Sequence, residues 1–265
     1  MPEAAEVAVL RDGLEGKLLN RKITMLSRFA ERSWVVDKDI LNILNDKIVS
    51  VDRIGKFIIL SHESTRKTLI HLSFTGSFSN EPKEFLALKF KLDDGSSLYY
   101  SDRRGLSKIR NLSAEELKQN KTLSAHKVDG LSSSVDTIYA TLKGISSNKE
   151  LKPFLLDYHN ICGIGNIYGS EICHEIRVSP KKKFNDLNDE QLHALAAAIK
   201  SVLEGAYTAG GSSIEDFVTL NGEKGHAQDY HKVYHKSICP DCGSRILSIK
   251  QDNRATFYCP KCQKE

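Results

Sequence analysis

The sequence predicts an α+β protein with a β-rich N-terminal part and a helical C-terminal part. Three patterns indicate this. Apolar residues at spacings of three and four open the chain, short β-type runs follow to about residue 110, and helical periodicity dominates after a Gly/Ser-rich break at 129–134. With 265 residues, of which 40% are hydrophobic, the chain can bury a sizeable core in one large or two ordinary domains. A mainly disordered chain is excluded.

The first predicted element is a helix over residues 2–19. Pro2 suits the first helical position, and Glu3 and Glu6 would lie in the first turn, where the helix dipole favours anions. One face of this helix is apolar and carries Val7, Leu10, Leu14 and Leu18.

The sequence predicts strands in the middle of the chain and helices in the part beyond it. Runs that predict an antiparallel sandwich or barrel lie at 48–51, 57–60, 68–72, 85–92 and 98–100. Helical patterns follow at 135–142, 151–157, 167–176 and 189–207. The last helix begins with an Asn188-x-x-Gln191 capping pattern, ends at Gly210-Gly211, and has an apolar face of Leu192, Leu195, Ile199 and Val202. Short strands are expected from about residue 232.

Composition restricts the class of protein. The formal net charge is +4, from 38 Lys+Arg and 34 Asp+Glu, and residues 224–265 alone hold eight Lys/Arg against four acids. No apolar run approaches the ~18 to 20 residues of a membrane span, and the N-terminus lacks the features of a secretory signal. We therefore expect a soluble intracellular protein, located either in the cytoplasm or nucleoid or in the nucleus.

Four of the six cysteines form two C-x2-C pairs near the C-terminus. Cys239 and Cys242 are followed, after sixteen residues, by Cys259 and Cys262. Two such turns supply four thiolates, which complete a tetrahedral shell around zinc and leave no open position for chemistry. The sequence predicts one structural Zn2+, and the alternative is a set of unpaired buried cysteines. Arg254 lies between the pairs, where its guanidinium could match a phosphate or could simply be a solvated surface charge.

Two further motifs suggest chemistry on an anionic substrate. Gly163 and Gly165 precede a helical pattern, so backbone N–H groups at the helix start could bind a phosphate, although glycines before a helix are also ordinary turn residues. Removal of Met1 would leave Pro2 with a free secondary amine beside Glu3. This amine could attack an electrophilic carbon, whereas the alternative is an ordinary proline at the start of a helix.

Taken together, these segments resemble the formamidopyrimidine-DNA glycosylase and endonuclease VIII family of base-excision repair enzymes. The resemblance spans nearly the whole chain. It rests on Met1-Pro2-Glu3-x-x-Glu6-Val7, Arg53 to Phe57, Ile70 to Gly76, Leu155 to Asp157 with Gly163 to Tyr168, Gly210 to Ser213, and Arg254 to Cys259. It implies an N-terminal helix with a β-sandwich, a helix-two-turn-helix domain and a zinc ribbon.

The resemblance also implies roles for particular residues. Pro2 would be the nucleophile that displaces a damaged base at C1′, and Glu3 would assist ring opening and proton transfer. Lys56, Asn166 and Arg254 would hold phosphates around the extruded nucleotide. Glu6 and Glu171 occupy carboxylate positions typical of the family, where they could support the active site or lie on helix surfaces.

The family fills the hole left by an extruded base with side chains of the N-terminal domain. Phe74 stands where methionine is usual, and an alignment without a gap makes Arg104 the contact to the orphaned base and Leu106 the wedge. Arg103 replaces a proline, which leaves the register open by one residue. The alternative for Phe74 and Leu106 is ordinary sandwich core. His71, in the Ile70 to Gly76 motif, is the remaining expected DNA contact.

The resemblance implies a bifunctional glycosylase and AP lyase that acts on double-stranded DNA, as a monomer and without a membrane partner. Residues 213–226 resemble a lesion-capping loop, which favours 8-oxoguanine and formamidopyrimidines. The resemblance also implies strand cleavage by β,δ-elimination. An endonuclease VIII-like enzyme for oxidised pyrimidines, an inactive damaged-DNA-binding protein, and a zinc-ribbon interaction module on an unrelated enzyme are the alternatives. The intact Pro2, Glu3 and Lys56 argue against an inactive binder.

The expected domain order follows from these segments. Residues 1–128 would form the catalytic helix and β-sandwich, and 129–134 the hinge. Residues 135–231 would form the helix-two-turn-helix domain with the capping loop, and 232–265 the zinc ribbon.

Overall fold

The structure, a computed structural model, describes residues 2–29, 38–126, 128–214 and 217–264. Met1, whose removal is expected, and Glu215 and Asp216 of the expected capping loop lie outside the described residues. The chain divides into two compact units. Unit 1 comprises Met1–Ser124 and Ala209–His226, and unit 2 comprises Ala125–Thr208 and Ala227–Glu265. The segment of the expected capping loop thus belongs to the same unit as the β-strands.

Unit 1 begins with helix α1 (Ala4–Leu18), which starts two residues later than predicted. Glu3 is the N-cap, and it forms a reciprocal capping box with Glu6. Pro2 therefore lies before the helix, whereas the sequence had suggested that it is the first helical residue. The helix begins after Glu3 because the carboxylate of Glu6 accepts the backbone N–H of Glu3.

The strands of unit 1 are β1 (Ile23–Arg28), β2 (Ile48–Ile54), β3 (Phe57–His62), β4 (Lys67–His71), β5 (Gly76–Ser79), β6 (Leu86–Leu92), β7 (Ser97–Asp102) and β8 (Lys108–Leu112). Within the described residues they form two antiparallel sheets, with strand orders β1-β6-β7-β5 and β2-β3-β4-β8. A 3-10 helix (Lys38–Ile43) and the short helices α2 (Ala114–Lys118) and α3 (Lys121–Ser124) complete the described elements of this unit.

The two sheets and α1 share one hydrophobic core, so the predicted sandwich is confirmed. The predicted apolar face of α1 is buried in it together with side chains from both sheets, among them Ile58, Ile70, Phe78, Leu88 and Tyr100. Burial of such side chains contributes roughly 1.5–3 kcal/mol each. The core fixes the start of α1 relative to the sandwich, because α1 packs on β2 and β3.

Unit 2 contains α4 (Val135–Lys143), α5 (Leu151–Leu155), α6 (Asn166–Glu175), α7 (Asp189–Thr208), two 3-10 helices (Phe184–Asp186 and Ala227–Tyr230) and the hairpin β9 (Leu247–Gln251) and β10 (Arg254–Tyr258). The predicted cap of α7 is confirmed, because Gln191 N–H donates to Asn188 Oδ1 at 2.8 Å and Asn188 N–H donates to Gln191 Oε1 at 3.1 Å. Of the predicted apolar face of α7, Leu195 and Ile199 are buried, whereas Leu192 and Val202 are only half-buried; Leu203 is also buried. The predicted α+β class, with sandwich, helical region and cysteine-rich hairpin, is confirmed.

His231 makes the stability of unit 2 sensitive to acid. Its ring packs edge-on against Tyr168 and Tyr234, and neither of its nitrogens has a hydrogen-bond partner among the described residues. Burial, assisted by the charge of Lys236, lowers the pKa of His231 from 6.5 to about 4. An unfolded chain would bind a proton at this residue in the interval between these values, whereas the folded chain would not.

We therefore expect unit 2 to lose up to about 3 kcal/mol of unfolding free energy as the pH falls from 6.5 towards 4. His231→Phe keeps an aromatic ring and removes the titration, so it should flatten this part of the profile. Urea unfolding of both proteins at several pH values measures the effect. Equal acid sensitivity of the two proteins would contradict the assignment.

In the part of the chain that the structure describes, no helix has the length and apolar character needed to cross a membrane.

Candidate DNA-binding and active site

The start of α1 is held by two buried acids. Glu3 and Glu6 are each only 2% exposed. Glu6 Oε2 accepts the backbone N–H of Glu3, and its Oε1 accepts the backbone N–H of Ser212, both at 2.8 Å. Glu6 therefore connects the segment of Pro2 and Glu3 to the loop that follows Gly210-Gly211. The alternative of a helix-surface role for Glu6 is wrong.

Gly211 allows this contact. Its φ of +80° is unfavourable for other residues, and a Cβ there would lie 3.1 Å from Glu6 Cγ and 3.0 Å from Phe217 Cε1. The glycine pair that the sequence indicated as a helix end therefore also brings a backbone N–H to the carboxylate of Glu6.

Lys56 lies in the tight turn between β2 and β3. Ile54 pairs with Phe57 on either side of this turn, Gly55 takes a φ of 58°, and Arg53 Nη1 donates to the carbonyl of Gly55 at 2.6 Å. The side chain of Lys56 is half-buried. The hairpin thus fixes the backbone position of Lys56, which suits a phosphate contact by its ammonium group.

Asp102 organises the two loops that contain the expected void-filling residues. It is fully buried at the end of β7. Its Oδ1 accepts the Thr75 hydroxyl at 2.6 Å and the Arg104 backbone N–H at 3.1 Å, and its Oδ2 accepts the Ser107 backbone N–H at 2.9 Å. Burial favours the neutral carboxyl, but the hydrogen bonds from Thr75, Ser107 and Arg104 outweigh it and hold the pKa of Asp102 below its usual value.

These loops place Phe74, Arg104 and Leu106 on the surface. Phe74 is 47% exposed and Leu106 is 44% exposed, so the alternative that they belong to the sandwich core is wrong. The Arg104 guanidinium lies 4.7 Å from the centre of the Phe74 ring, and the Ser73 hydroxyl donates to the carbonyl of Leu106 at 2.9 Å. Exposed apolar side chains beside an arginine are what a protein needs to unstack a base step.

His71 is at the end of β4, next to the same loop. Its ring packs against Phe57 with centroids 4.7 Å apart, and its Nδ1 lies 3.3 Å from the hydroxyl of Ser73. Ser73 therefore connects His71 to the loop of Leu106. Neither Asp102 nor Ser73 was among the residues predicted from the sequence.

We expect Asp102→Asn to disorder the void-filling loops. An amide in place of the carboxylate replaces one acceptor oxygen by an NH2 group that faces the present hydroxyl or N–H donors, which costs about 2–3 kcal/mol of unfolding free energy. The midpoint of chemical denaturation and the rate of lesion incision should both fall. Asp94→Asn, at an exposed hairpin residue, is the matched control and should change neither. Wild-type incision by Asp102→Asn would contradict the role given to Asp102.

In unit 2, Asn166 is the first residue of α6, and the glycine turn precedes it as predicted. Gly163 takes a φ of +99°, and Gly165 is the extended N-cap. The positive end of the helix dipole at this helix start and the Asn166 amide are suited to an anion. Further along α6, the Glu171 carboxylate is 7% exposed.

Glu171 supports the chain before the cysteine hairpin. Its two oxygens accept the backbone N–H groups of Lys232, Val233 and Tyr234 at 2.8, 3.1 and 2.7 Å. Burial raises the pKa of Glu171, although these donors oppose the increase. The alternative of a surface role for Glu171 is therefore wrong, and the residue fixes α6 to the segment that leads to the ribbon.

Arg254 is exposed at the first position of β10, directly after the turn Asp252-Asn253, in which both residues have positive φ. Close by, Lys152 of α5 is buried and contacts Asn166 and the strand of Arg254. Lys152 was not among the residues predicted from the sequence. Its place in the apolar run from Leu151 to Leu155 was the only signal for a buried lysine.

The four cysteines meet at one point. Their sulfurs lie within 4.8 Å of one another, with 3.8 Å between Cys239 and Cys262 and 3.5 Å between Cys242 and Cys259. Tetrahedral zinc with Zn–S bonds of ~2.3 Å requires S···S separations of about 3.8 Å. The cluster therefore fits zinc, and unpaired buried cysteines are excluded. Buried His174 adds an imidazole nitrogen 3.5 Å from Cys239 Sγ, at hydrogen-bond distance.

A four-cysteine hairpin, an exposed arginine beside it and an exposed aromatic and basic loop define a zinc-ribbon protein of the nucleic-acid-binding class. Three family models match the chain: the formamidopyrimidine-DNA glycosylase N-terminal domain at residues 1–109, its H2TH domain at 127–218, and a zinc finger found in FPG and IleRS at 238–264. The chain belongs to the formamidopyrimidine-DNA glycosylase family, and the resemblance inferred from the sequence is confirmed.

Individual relatives agree over their full lengths. A formamidopyrimidine-DNA glycosylase of Rickettsia bellii is 31% identical and that of Pelotomaculum thermopropionicum 29%, with at least 99% of each chain covered. Among solved structures, the MutM (FPG) protein of Thermus thermophilus is 28% identical with a TM-score of 0.88, over 99% of this chain and 98% of that one. A Lactococcus lactis FPG mutant, solved with DNA that contains Fapy-dG, is 27% identical with a TM-score of 0.88, over 99% of both chains.

Proposed function

We propose that this protein is a bifunctional DNA glycosylase and AP lyase that removes oxidised purines by way of a Schiff base on Pro2. The observation that carries the proposal is the start of α1. Pro2 directly precedes the N-cap Glu3, and two buried acids hold this segment in place. An amine beside a positioned carboxyl group is the pair that nucleophilic displacement at an acetal carbon needs.

The proposed reaction begins with attack of the Pro2 nitrogen on C1′ of the damaged nucleotide. The N–C1′ bond forms as the glycosidic bond breaks, and the base leaves with a proton. Transfer of a proton by Glu3 to the ring oxygen opens the sugar and gives an iminium ion on Pro2. Loss of a C2′ proton then expels the 3′ phosphate, a second elimination expels the 5′ phosphate, and water releases the amine of Pro2.

The proposal gives electrostatic roles to cationic and amide groups of both units. In the proposal Lys56, Asn166 and Arg254 hold phosphates next to the lesion, while Phe74, Arg104 and Leu106 fill the gap left in the duplex and His71 contacts the strand. Each phosphate contact adds a salt-dependent contribution to the affinity. Zinc on the four cysteines is structural in this account, because four thiolates leave no position for substrate.

Two features support oxidised purines, namely 8-oxoguanine and formamidopyrimidines, as the substrates. The curated relatives carry the name formamidopyrimidine-DNA glycosylase, and the Lactococcus lactis neighbour was solved with DNA that contains Fapy-dG. Residues 213–226 could cap a flipped purine. The second candidate, removal of oxidised pyrimidines, is favoured by the altered void-filling residues, since Phe74 and Leu106 change the side chains that meet the orphaned base.

The proposal is tested by incision of duplexes that differ only in the lesion. Untagged protein is mixed with duplexes that carry 8-oxoguanine, a formamidopyrimidine, an oxidised pyrimidine or an abasic site, and strand cleavage is followed on denaturing gels. The proposal requires faster cleavage at the two purine lesions. Faster cleavage at the pyrimidine lesion would select the second candidate, and tight binding without cleavage of any duplex would select an inactive damage-binding protein.

A further inference from the structure

Lys152 is a buried lysine in the middle of unit 2. It lies on α5 and is only 1% exposed. Lysine is almost never fully buried unless its ammonium group is hydrogen-bonded, because removal of a charge from water is costly. This position therefore needs a physical reason, and the reason lies in the groups that the ammonium contacts.

The Lys152 ammonium group joins three segments of unit 2. Its Nζ donates to Asn166 Oδ1 at 2.7 Å, to the carbonyl oxygen of Ala255 at 2.9 Å and to the hydroxyl of Thr256 at 3.0 Å. These acceptors belong to the start of α6 and to strand β10. A single side chain on α5 thus connects the helix that carries Asn166 with the strand that begins at Arg254.

The first consequence concerns the orientation of the Asn166 amide. An ammonium group has donors and no acceptor, so the amide must turn its oxygen towards Lys152. Its NH2 group then points away from Lys152, and it reaches the hydroxyl of Tyr234 at 3.4 Å. The NH2 group also has a second hydrogen, which is available to a phosphate oxygen at the N-terminus of α6. Without Lys152, rotation of the amide by half a turn would present the oxygen instead, which repels phosphate.

The second consequence concerns Arg254. Ala255 and Thr256 are the next two residues of β10, so the bonds from Lys152 fix the backbone immediately after Arg254. Lys152 and Arg254 also line one groove of about 180 Å³, together with Lys149. Gln251 at the end of β9 strengthens the connection, because its amide donates to Glu150 Oε2 at 2.6 Å, just before α5.

We propose that Lys152 is a positioning residue that sets Asn166 and Arg254 as one phosphate-binding pair. The proposal rests on the proposed function, in which both residues contact DNA. Lys152 itself is buried and acts through its hydrogen bonds. It differs from a lysine that only stabilises the fold in one respect: its effect on DNA affinity must pass through Asn166 and Arg254.

A double-mutant cycle tests this coupling. Lys152→Met keeps the length and apolar stem of the side chain and removes the ammonium group. We expect it to weaken binding to a duplex with an abasic-site analogue by about tenfold or more, comparable to the loss of a buried charge-assisted hydrogen bond. In the Asn166→Ala, Arg254→Ala background the same substitution should change the affinity by less than about threefold, because the groups that it positions are already absent. Lys143→Met, at an exposed lysine of α4, is the matched control and should change nothing.

Zinc content and the unfolding midpoint are measured on every variant. If Lys152→Met does not fold, Thr256→Val, which removes one acceptor at a buried position, takes its place in the cycle with a smaller expected loss. An equal loss in both backgrounds would overturn the proposal and leave Lys152 a structural residue. If Asn166→Ala and Arg254→Ala alone leave the affinity unchanged, the proposed function fails at these contacts and the proposal fails with it.

Discussion

We expect that extension of the chain before Pro2 abolishes covalent trapping and strand cleavage, while the protein still binds damaged duplex. An added residue converts the secondary amine of Pro2 into an amide, whose nitrogen has no available lone pair. Loss of a covalent nucleophile costs at least about 10³-fold in rate in comparable enzymes. Glu6 holds the start of α1 through the backbone N–H groups of Glu3 and Ser212, which the extension does not change, so this segment should keep its fold.

The comparison for this experiment is an extension of equal length at the C-terminus. That protein should cleave at the wild-type rate, because its amine is unchanged. Binding of an abasic-site analogue and the unfolding midpoint are measured for both proteins. Cleavage at the wild-type rate by the N-terminally extended protein would remove Pro2 from the mechanism.

Loss of the metal is expected to have the second largest effect. Cys259→Ser removes a ligand that is fully buried in the hairpin. Among the described residues, the buried cluster around this ligand has only Val233 and Ile246 besides cysteines, with Phe257 packed against it, so the hairpin depends largely on the metal. Structural zinc contributes about 10–16 kcal/mol to the folding of such small domains. We expect Cys259→Ser to lose zinc, to unfold β9 and β10, and to weaken DNA binding by at least about 100-fold as the contact of Arg254 is lost.

Cys162→Ser provides the matched control for the metal. Cys162 is also buried in unit 2, but it lies outside the cluster, with its sulfur 3.6 Å from Asp129. Serine can make a hydrogen bond to the same carboxylate, so zinc content and DNA affinity should stay near the wild-type values. A zinc-free Cys259→Ser protein that binds damaged duplex as tightly as wild type would show that the ribbon is not a DNA contact.

Much of the fold follows from periodicity in the sequence. The buried face of α1, the runs that become β2, β3 and β6, and the cap of α7 are local patterns, because neighbouring residues decide them. Strand β5 (Gly76–Ser79) has no such pattern. Gly76 is there because a Cβ would collide with the hydroxyls of Tyr100 and Ser107, which are brought close only by the folded sheet.

The candidate site divides in the same way. Pro2, Lys56 and the cysteine pairs have local signatures, namely an N-terminal position, a hairpin turn and a fixed spacing. The groups that support them do not, because their partners are distant in the sequence. Glu6 meets Ser212, and Lys152 meets Thr256. Only the folded chain can reveal hydrogen bonds of this range.

The central claim is that Pro2 forms the covalent intermediate. The most direct test is borohydride reduction of the untagged protein in the presence of a duplex that carries 8-oxoguanine, followed by mass spectrometry of the cross-linked peptide. The account predicts a single adduct on the nitrogen of Pro2. An adduct on a lysine side chain, or no adduct while the strand is cleaved, would contradict it.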